Sequence, residues 1–323
     1  MSRPCVLVTR RIPGSAQAIL SSACEVDLYT GDGSIPREEL KRRLANKDAL
    51  VCLLTERIDA DVLDAAPALR VVANVAVGFD NIDRAAARAR GVIVTNTPDV
   101  LTDATADLTW GLLLAAMRRI AEGDRLIRSG QWKGWALDFH LGSDLRSKQL
   151  GVVGFGRIGR AVAARADVFG MAVVYSTLDA DAPGAGAEAA GRRRVALDHL
   201  LSTSDVVTLH VPLTPQTRHL INRQSLASMK RGAYLINTSR GPVVDEEALA
   251  WALREGVIGG AALDVYEREP VVHPDLLSLE NVVLAPHIGS ATVETRSAMA
   301  DLAARNVLAV LGGHPPLTPV PFD

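Results

Sequence analysis

The chain has 323 residues, of which 48% are hydrophobic, 4% aromatic and 22% charged. A domain usually contains roughly 100–200 residues, so the length predicts two compact units, and the aliphatic composition is typical of the buried strands of an α/β protein. The formal net charge of −2, without a dense basic stripe, argues against nucleic acid or an anionic membrane as the main partner. The expected ligand is a small molecule.

Cysteine usage and apolar runs predict where the protein resides. The three cysteines, Cys5, Cys24 and Cys52, lack the spacing of a metal site, so we expect reduced thiols and no bound metal. No signal-peptide core precedes the first strand-like run, and the longest apolar run, residues 110–117, is far shorter than the ~20 residues of a bilayer span. We therefore expect a soluble, cytoplasmic protein.

The first third of the chain alternates short β-branched runs with helix-like stretches. This alternation predicts repeated βα units and a parallel sheet. The predicted strands cover residues 6–9, 25–29, 49–54, 71–75 and 92–96. Residues 95–98, which end in Thr-Pro, interrupt this series, and the apolar residues 101–121 then predict one long helix.

A second series of βα units begins at residue 149. Its predicted strands cover residues 149–153, 172–175, 206–209, 233–237, 261–265 and 282–284. A Gly- and Ala-rich stretch, residues 180–191, is interpreted as a variable loop, and residues 294–311 predict a closing helix before a Pro-rich tail that returns to the first unit. The fold class is therefore α/β, with two doubly wound parallel-sheet domains, Rossmann-like or flavodoxin-like, and a cleft between them.

A glycine motif, Gly-Phe-Gly-Arg-Ile-Gly, joins the first strand of the second series to a helix. Gly154 permits a tight turn, Gly156 lets a pyrophosphate approach the backbone, and Gly159 lets helix and sheet pack closely. In this strand–turn–helix context the motif predicts dinucleotide binding, whereas a glycine turn without a ligand is the alternative. The predicted contacts are Gly154, Gly156, Arg157, Ile158 and Gly159.

The end of the next strand indicates which nicotinamide cofactor binds. Ser176 and Thr177 stand where NAD-binding proteins carry a carboxylate. Without that negative charge, the two hydroxyls can bind the 2′-phosphate of NADP. Three arginines at residues 192–194 either add positive charge for this phosphate or form a solvated surface. The sequence favours NADP(H) over NAD(H).

Three loops follow later strands of the second series, at the edge where parallel sheets bind ligands. The first carries Arg240, whose guanidinium can hold a carboxylate bidentately, although an arginine in a loop is more often a surface residue. The second carries Glu267 and Glu269, and the third carries His287. A histidine at such a position can protonate a ketone oxygen, and a nearby carboxylate favours its imidazolium form.

Together the glycine motif, the Asn-Thr-Ser-Arg-Gly loop, the Glu-Pro turn and the sequence Pro-His-Ile-Gly-Ser-Ala-Thr resemble the D-isomer-specific 2-hydroxyacid dehydrogenase family over nearly the whole chain. The resemblance implies that Arg240, Glu269 and His287 are catalytic and places Glu267 on the surface. It implies that backbone amides of Val77 and Gly78 bind the substrate carboxylate, for which a simple glycine turn is the alternative. The remaining cofactor contacts that it implies are Thr105, Val211, Pro212, Thr238, Asp264, His287 and Gly289.

The resemblance also assigns the domains and suggests a dimer. Residues 1–100 plus 292–323 form the substrate-binding domain, and residues 101–291 form the dinucleotide-binding domain. A paired-tryptophan segment resembles glyoxylate/hydroxypyruvate reductases, in which a tryptophan of the partner subunit reaches the substrate; this implies Trp135 as a substrate contact. Alternatively, Trp132 and Trp135 only anchor a subunit interface. Both interpretations predict a homodimer.

The activity implied by the resemblance is NAD(P)H-dependent reduction of a small 2-keto acid, glyoxylate or hydroxypyruvate, to the D-2-hydroxy acid, glycolate or D-glycerate. One alternative is a D-3-phosphoglycerate dehydrogenase or another 2-keto acid reductase of the same family. An alternative of another class is a nucleotide-sensing, corepressor-like binding protein. The lack of a recognisable regulatory domain weighs against the long phosphoglycerate dehydrogenases, and the lack of a recognisable interaction segment weighs against the corepressor. A substrate panel distinguishes the reductases within the family.

Overall fold

A computed structural model describes residues 3–177 and 192–321. Two compact units divide this part of the chain: the first comprises the residues up to Leu101 and those from Ser290 onward, and the second runs from Thr102 to Gly289. The loop expected over residues 180–191 lies outside the described residues. Each unit has its own parallel sheet and its own hydrophobic core.

The first unit is built on a five-stranded sheet. Its strands are β1 (Cys5–Val8), β2 (Glu25–Leu28), β3 (Ala49–Cys52), β4 (Val71–Asn74) and β5 (Ile93–Thr95). All neighbours are parallel, in the order β2-β1-β3-β4-β5. Every residue of β3 and β4 is buried, because helices cover both faces of a parallel sheet. This is the flavodoxin-like order.

The second unit is built on a seven-stranded sheet. Its strands are β6 (Gln149–Val153), β7 (Ala172–Ser176), β8 (Arg193–Arg194), β9 (Val206–Leu209), β10 (Tyr234–Asn237), β11 (Gly260–Leu263) and β12 (Val282–Leu284). The parallel order β12-β11-β10-β9-β6-β7-β8 reverses direction between β6 and β9, which is where a Rossmann sheet binds its ligand. The predicted fold class of two doubly wound parallel sheets is confirmed.

The strands predicted from sequence are all present, and the structure adds the two-residue edge strand β8, which pairs with β7. The helices of the described residues are α1 (Ala16–Ala23), α2 (Arg37–Leu44), α3 (Ala60–Asp64), α4 (Arg84–Ala89), α5 (Thr102–Met117), α6 (Ile120–Arg128), α7 (Arg157–Arg165), α8 (Leu197–Thr203), α9 (Arg223–Ser228), α10 (Glu246–Arg254), α11 (Pro274–Leu277) and α12 (Val293–Leu311). Several begin at a residue whose side chain accepts a backbone amide and so caps the first turn: Asp59, Asp83, Asn222, Asp245 and Thr292. None of the helices described is long and apolar enough to cross a membrane.

The single helix expected over residues 101–121 is wrong, because the structure divides it into α5 and α6. The break lies at Arg119, whose φ of 55° is in the left-handed region. The guanidinium of Arg119 pairs with Glu122 in the first turn of α6, and the carbonyl of Met117 accepts the amide of Ser143 at 2.8 Å. Contacts made by a later segment therefore end α5 where the apolar pattern alone would extend it.

Candidate active site

A histidine–glutamate pair lies at the carboxyl ends of two adjacent strands of the second unit. His287 follows β12 and Glu269 follows β11, and Nδ1 of His287 lies 2.7 Å from Oε2 of Glu269. The two side chains are 28% and 30% exposed, so a small molecule can reach them. Burial alone would raise the pKa of Glu269, but the hydrogen bond and charge of His287, the Tyr266 amide and the Arg240 charge lower it. The carboxylate is therefore anionic and accepts the hydrogen bond from Nδ1 of His287.

The backbone that carries His287 is fixed by Asp264. Oδ1 of this buried carboxylate accepts the amide of Ile288, and Oδ2 accepts the amide of Gly289, each at 2.7 Å. These bonds hold His287 at a φ of 53°, a conformation that non-glycine residues rarely adopt. Burial raises the pKa of Asp264, while the two amides and the charge of His287 act in the opposite direction.

Arg240 lies just beyond β10, the neighbour of β11, in a turn that Asn237 organises. The buried side chain of Asn237 accepts the amide and the hydroxyl of Ser239, at 3.0 and 2.8 Å, and donates from Nδ2 to the carbonyl of Arg240 at 3.0 Å. Nη1 of Arg240 donates to the Ser239 carbonyl at 2.9 Å. These hydrogen bonds fix the turn. The guanidinium of Arg240 lies close enough to Glu269 for its positive charge to lower the pKa of that carboxyl group.

Gly241 joins the arginine turn to the loop that carries Glu269. A Cβ at this position would lie 1.8 Å from the carbonyl carbon of Tyr266 and 1.9 Å from its oxygen. The two backbones can pack this closely only because residue 241 has no side chain. This contact brings Arg240 and Glu269 onto the same edge of the sheet.

The glycine motif has the shape that a dinucleotide pyrophosphate needs. Gly154 ends β6 with a φ of 91°, and a Cβ at Gly159 would lie 2.1 Å from the Gly154 carbonyl oxygen, so both positions require glycine. At Gly156, by contrast, no described atom lies within 4 Å of an added Cβ. Gly156 precedes the first turn of α7, which begins with Arg157 and Ile158. Open space at a helix N-terminus fits a phosphate.

At the end of β7 the structure presents hydroxyls beside an arginine. The carbonyl of Ser176 accepts the amide of Gly154 at 2.8 Å, which places Ser176 and Thr177 next to the glycine motif. Arg194 of β8 donates from Nη2 to the carbonyl of Thr177 at 3.5 Å and is exposed. Arg192 instead binds Asp167 and the Ala163 carbonyl, at 2.9 and 2.7 Å. The two arginines therefore make different contacts, and Arg194 is the one that lies beside the backbone of Thr177.

The other residues expected at the cofactor gather near these loops. Thr238 Oγ1 lies 2.9 Å from the hydroxyl of Thr109, which donates to the carbonyl of Thr105 at 2.8 Å. A Cβ at Gly289 would lie 3.5 Å from Thr105 and 3.3 Å from Asp264, and a Cβ at Gly154 would lie 2.8 Å from the amide nitrogen of Val211. Pro212, the next residue, is exposed.

The loop expected to bind a carboxylate belongs to the first unit, immediately after β4. Three successive carbonyls of this loop accept hydrogen bonds: Ala76 from the amide of Thr97 at 2.8 Å, Val77 from Nδ2 of Asn96 at 2.8 Å, and Gly78 from Nδ2 of Asn74 at 2.9 Å. Because a trans peptide directs its N–H opposite to its carbonyl, these bonds turn the amides of Val77 and Gly78 away from the three donors. Neither amide donates to another residue in the described ranges. They resemble the donor pair of an anion site.

Several residues that support the site were missed from the sequence. The asparagines Asn74, Asn96 and Asn237 each end or follow a strand and hold the loop beyond it. Asparagine at the carboxyl end of a parallel strand is a signal that could have found them. Glu267 also differs from the expectation of a surface residue, since it is only 23% exposed. Its Oε1 lies 2.5 Å from Nε2 of His219, so Glu267 forms a second histidine–glutamate pair and does not bind His287.

The segment 120–141 of the second unit exposes an unusual number of apolar side chains. None of the residues of α6 is buried, and Trp135 is 80% exposed. The exposed members of this apolar segment are Ile120, Ile127, Trp132, Trp135, Leu137, Phe139 and Leu141. So many large apolar side chains close together in one segment are typical of an interaction surface. Within the described ranges there is no cluster of three or more His, Cys, Asp or Glu side chains that could hold a metal ion.

Comparison with known sequences connects this site to a family. Residues 110–289 match the family model described as D-isomer specific 2-hydroxyacid dehydrogenase, NAD binding domain. The chain is 52% identical over 320 residues to the glyoxylate reductase of Thermococcus kodakarensis, covering 98% of this chain and 96% of that protein. It is also 52% identical over 324 residues to the glyoxylate reductase of Thermofilum pendens, covering 98% and 94% respectively.

Solved structures show the same similarity. A protein from Thermus thermophilus superposes with a TM-score of 0.92 at 47% identity, covering 98% of this chain and 100% of that one. The NADPH-dependent glyoxylate/hydroxypyruvate reductase of Sinorhizobium meliloti, in complex with NADP and malonate, superposes with a TM-score of 0.89 at 36% identity, covering 99% and 98%. The resemblance inferred from the motifs thus extends over the whole chain.

Proposed function

Because the chain belongs to the D-isomer-specific 2-hydroxyacid dehydrogenase family, we propose that it reduces glyoxylate and hydroxypyruvate to glycolate and D-glycerate with NADPH. It is an oxidoreductase with a nicotinamide cofactor. The substrate class comes from the relatives, which are glyoxylate reductases of about half-identical sequence over nearly the full length. The observation that carries the proposal is the 2.7 Å contact between His287 and Glu269, with Arg240 close enough to act on the same carboxylate.

The residues of this site divide the chemistry between them. The bound nicotinamide supplies the hydride that reaches the keto carbon of the substrate. Since Nδ1 of His287 faces Glu269, Nε2 is the nitrogen that donates a proton to the carbonyl oxygen as the C–O bond becomes single. Glu269 stabilises the imidazolium before transfer, and Arg240 draws negative charge towards the carbonyl oxygen. Solvent reprotonates His287 after each turnover.

The proposed donors to the substrate carboxylate are the guanidinium of Arg240 in the second unit and the amides of Val77 and Gly78 in the first. Arginine provides a planar pair of donors, and the two amides lack protein acceptors within the described ranges, so all of these donors suit a carboxylate. A substrate without a carboxylate would not bind these donors.

For the cofactor we propose NADPH in preference to NADH. Gly154, Gly156 and Gly159, with the first turn of α7, would hold the pyrophosphate. Ser176, Thr177 and Arg194 would bind the 2′-phosphate, since they offer two hydroxyls and a positive charge where an NAD enzyme presents a carboxylate. Thr105, Val211, Pro212, Thr238, Asp264 and Gly289 would surround the rest of the cofactor.

The exposed apolar segment 120–141 supports a homodimer. Large apolar side chains that remain in water cost free energy, and a second copy of the chain is the partner that would bury them on both subunits at once. Trp135 is the most exposed of the aromatic residues in this segment, so it is the side chain best placed to extend into the substrate site of the partner. Its size would favour compact substrates.

Initial rates of NADPH oxidation with a panel of acids test the proposed activity. The panel contains glyoxylate, hydroxypyruvate, pyruvate and phosphohydroxypyruvate, and His287→Ala is the control that removes the proton donor. Fast turnover of glyoxylate or hydroxypyruvate that collapses in the variant supports the proposal. Preferential turnover of phosphohydroxypyruvate would reassign the substrate, and no turnover with any acid would favour a nucleotide-binding sensor.

A further inference from the structure

The C-terminal segment of the chain, residues 317–320, lies along the edge strand β5 of the first unit. Val320 is buried and donates its amide to the carbonyl of Val94 at 2.9 Å, and Pro319 forms an antiparallel bridge with Thr95. The segment therefore completes the free edge of the sheet. Near its start it lies beside Asn96, the residue whose side chain binds the carbonyl of Val77.

Thr318 fixes the backbone of Asn96 from both sides. Its hydroxyl donates to the carbonyl of Asn96 at 2.6 Å, and its own carbonyl accepts the amide of Asn96 at 3.2 Å. With both backbone groups engaged, Asn96 has little freedom to rotate. Its side chain is consequently directed at the Val77 carbonyl, 2.8 Å away, while the following amide, that of Thr97, binds the Ala76 carbonyl.

Thr318 is itself held by a buried residue of α12. Asn306, which is fully buried, donates from Nδ2 to the hydroxyl of Thr318 at 2.8 Å. Its Oδ1 accepts the amides of Leu317 and Thr318, at 2.9 and 3.0 Å. The hydroxyl thus accepts one hydrogen bond and donates another, an arrangement in which each bond polarises and strengthens the next.

From this chain of bonds we infer that Thr318 and Asn306 are positioning residues for the substrate carboxylate. They hold Asn96, and Asn96 with Thr97 holds the carbonyls of Ala76 and Val77, whose peptides carry the amides of Val77 and Gly78. The inference rests on the proposed role of those two amides. It assigns to the C-terminal segment a part in substrate binding, although none of its residues needs to touch the substrate.

The alternative is that the segment only protects an edge strand. In that case the loss of the Thr318 hydroxyl would lower stability and leave substrate binding unchanged. A positioning role predicts a different signature, because misdirected amides weaken binding of the carboxylate while the cofactor site in the second unit is unaffected. The KM for glyoxylate, compared with the KM for NADPH, therefore separates the two explanations.

The test uses Thr318→Val, which removes the hydroxyl at nearly constant volume, and Thr318→Ser, which keeps it. Ser15→Ala is the matched control, since Ser15 also makes a side-chain hydrogen bond to α12 in the first unit, 2.7 Å to Asp301, away from the loop. We expect Thr318→Val to raise the KM for glyoxylate about threefold to tenfold, the range for loss of one hydrogen bond, with the KM for NADPH unchanged. Thr318→Ser should behave as the wild type.

Two further readouts keep the outcomes distinct. The inhibition constant of oxalate, an unreactive carboxylate, should rise in Thr318→Val by the same factor as the KM, and Ser15→Ala should lower the melting temperature without changing either constant. The inference is overturned if Thr318→Val melts lower but binds glyoxylate and oxalate as the wild type does. Failure of the proposed function looks different, because the wild type itself would then show no saturable turnover of glyoxylate.

Discussion

Nδ1 of His287 and Oε2 of Glu269 are 2.7 Å apart, and the pKa of Glu269 is lowered in consequence. The stabilisation belongs to the ionised carboxylate and is absent when Glu269 is protonated. Its contribution is present above the ordinary glutamate pKa of 4.5 and is lost as the pH falls through the lowered value in the folded protein. Glu269 therefore stays a carboxylate across the neutral range.

Glu269→Gln tests this coupling. The amide cannot carry the negative charge that lies against Nδ1 of His287, so the proton donor loses its anionic partner. We expect kcat/KM for glyoxylate at neutral pH to fall about 10- to 100-fold, and the acid limb of the pH profile, which in the wild type follows the lowered pKa of Glu269, to disappear. Initial rates from pH 3 to 9 give both quantities.

Glu267→Gln is the matched control, because Glu267 lies two residues earlier and binds His219 instead. Its pH profile should keep the acid limb of the wild type. If both variants shift the profile alike, the effect is one of local charge, and the specific role of Glu269 is refuted.

Part of this site could be predicted from sequence by a local rule. Loops after parallel strands lie at one edge of a sheet, so the sequence predicts that Arg240, His287 and a glutamate lie together, and the family resemblance selects Glu269 over Glu267. The strand pattern likewise predicted both sheets. The break at Arg119 could not be predicted in this way. The amide of Ser143 donates to the carbonyl of Met117, the last residue of α5, and Ser143 is distant in sequence.

The same limit explains the missed asparagines. Asn96 acts on the Val77 carbonyl from another strand, and Thr318 acts on Asn96 from the far end of the chain. Such hydrogen bonds exist only once the sheet has formed; the strand-end position of Asn96 indicates a supporting role but not which carbonyl it binds. The resemblance places Glu267 on the surface because it is not at the family position, and its partner His219, 48 residues away, is not evident from the local sequence.

Gly241→Ala tests whether the arginine turn must pack against the Tyr266 backbone. The added methyl would lie 1.8 Å from the Tyr266 carbonyl carbon, so one loop must move. We expect the KM for glyoxylate to rise more than tenfold, and unfolding to become easier by about 1–3 kcal/mol, the usual cost of overpacking. Steady-state kinetics and thermal melting measure the two effects.

Gly111→Ala is the control for this substitution. Gly111 lies in α5, is exposed and has no described atom within 4 Å of an added Cβ, so alanine there should stabilise the helix slightly, by about 0.5–1 kcal/mol. Its kinetics should match the wild type. Wild-type kinetics in Gly241→Ala as well would show that the close contact does not position Arg240.

Arg194→Gln tests the preference for NADPH. Arg194 is the arginine beside Thr177, and its charge would bind the 2′-phosphate that NADH lacks. We expect the KM for NADPH to rise about tenfold and the KM for NADH to stay within about twofold, which corresponds to the loss of one charge-assisted hydrogen bond. As a control, Arg193→Gln should change neither KM. If Arg194→Gln raised the KM for NADPH and the KM for NADH equally, Arg194 would not bind the 2′-phosphate.

The exposed apolar segment should be a subunit interface, and paired substitutions in it test this. Leu137 and Phe139 are exposed apolar side chains, and replacing both with serine removes much of the apolar area that a partner would cover. We expect sedimentation to show a shift from dimer towards monomer at micromolar concentration. Leu277→Ser, at an exposed apolar residue in α11, is the control and should leave the dimer intact.

Trp135→Ala separates the two roles of the segment. A higher KM for glyoxylate in an intact dimer would place this tryptophan at the substrate of the partner. A wild-type KM would restrict Trp135 to the interface.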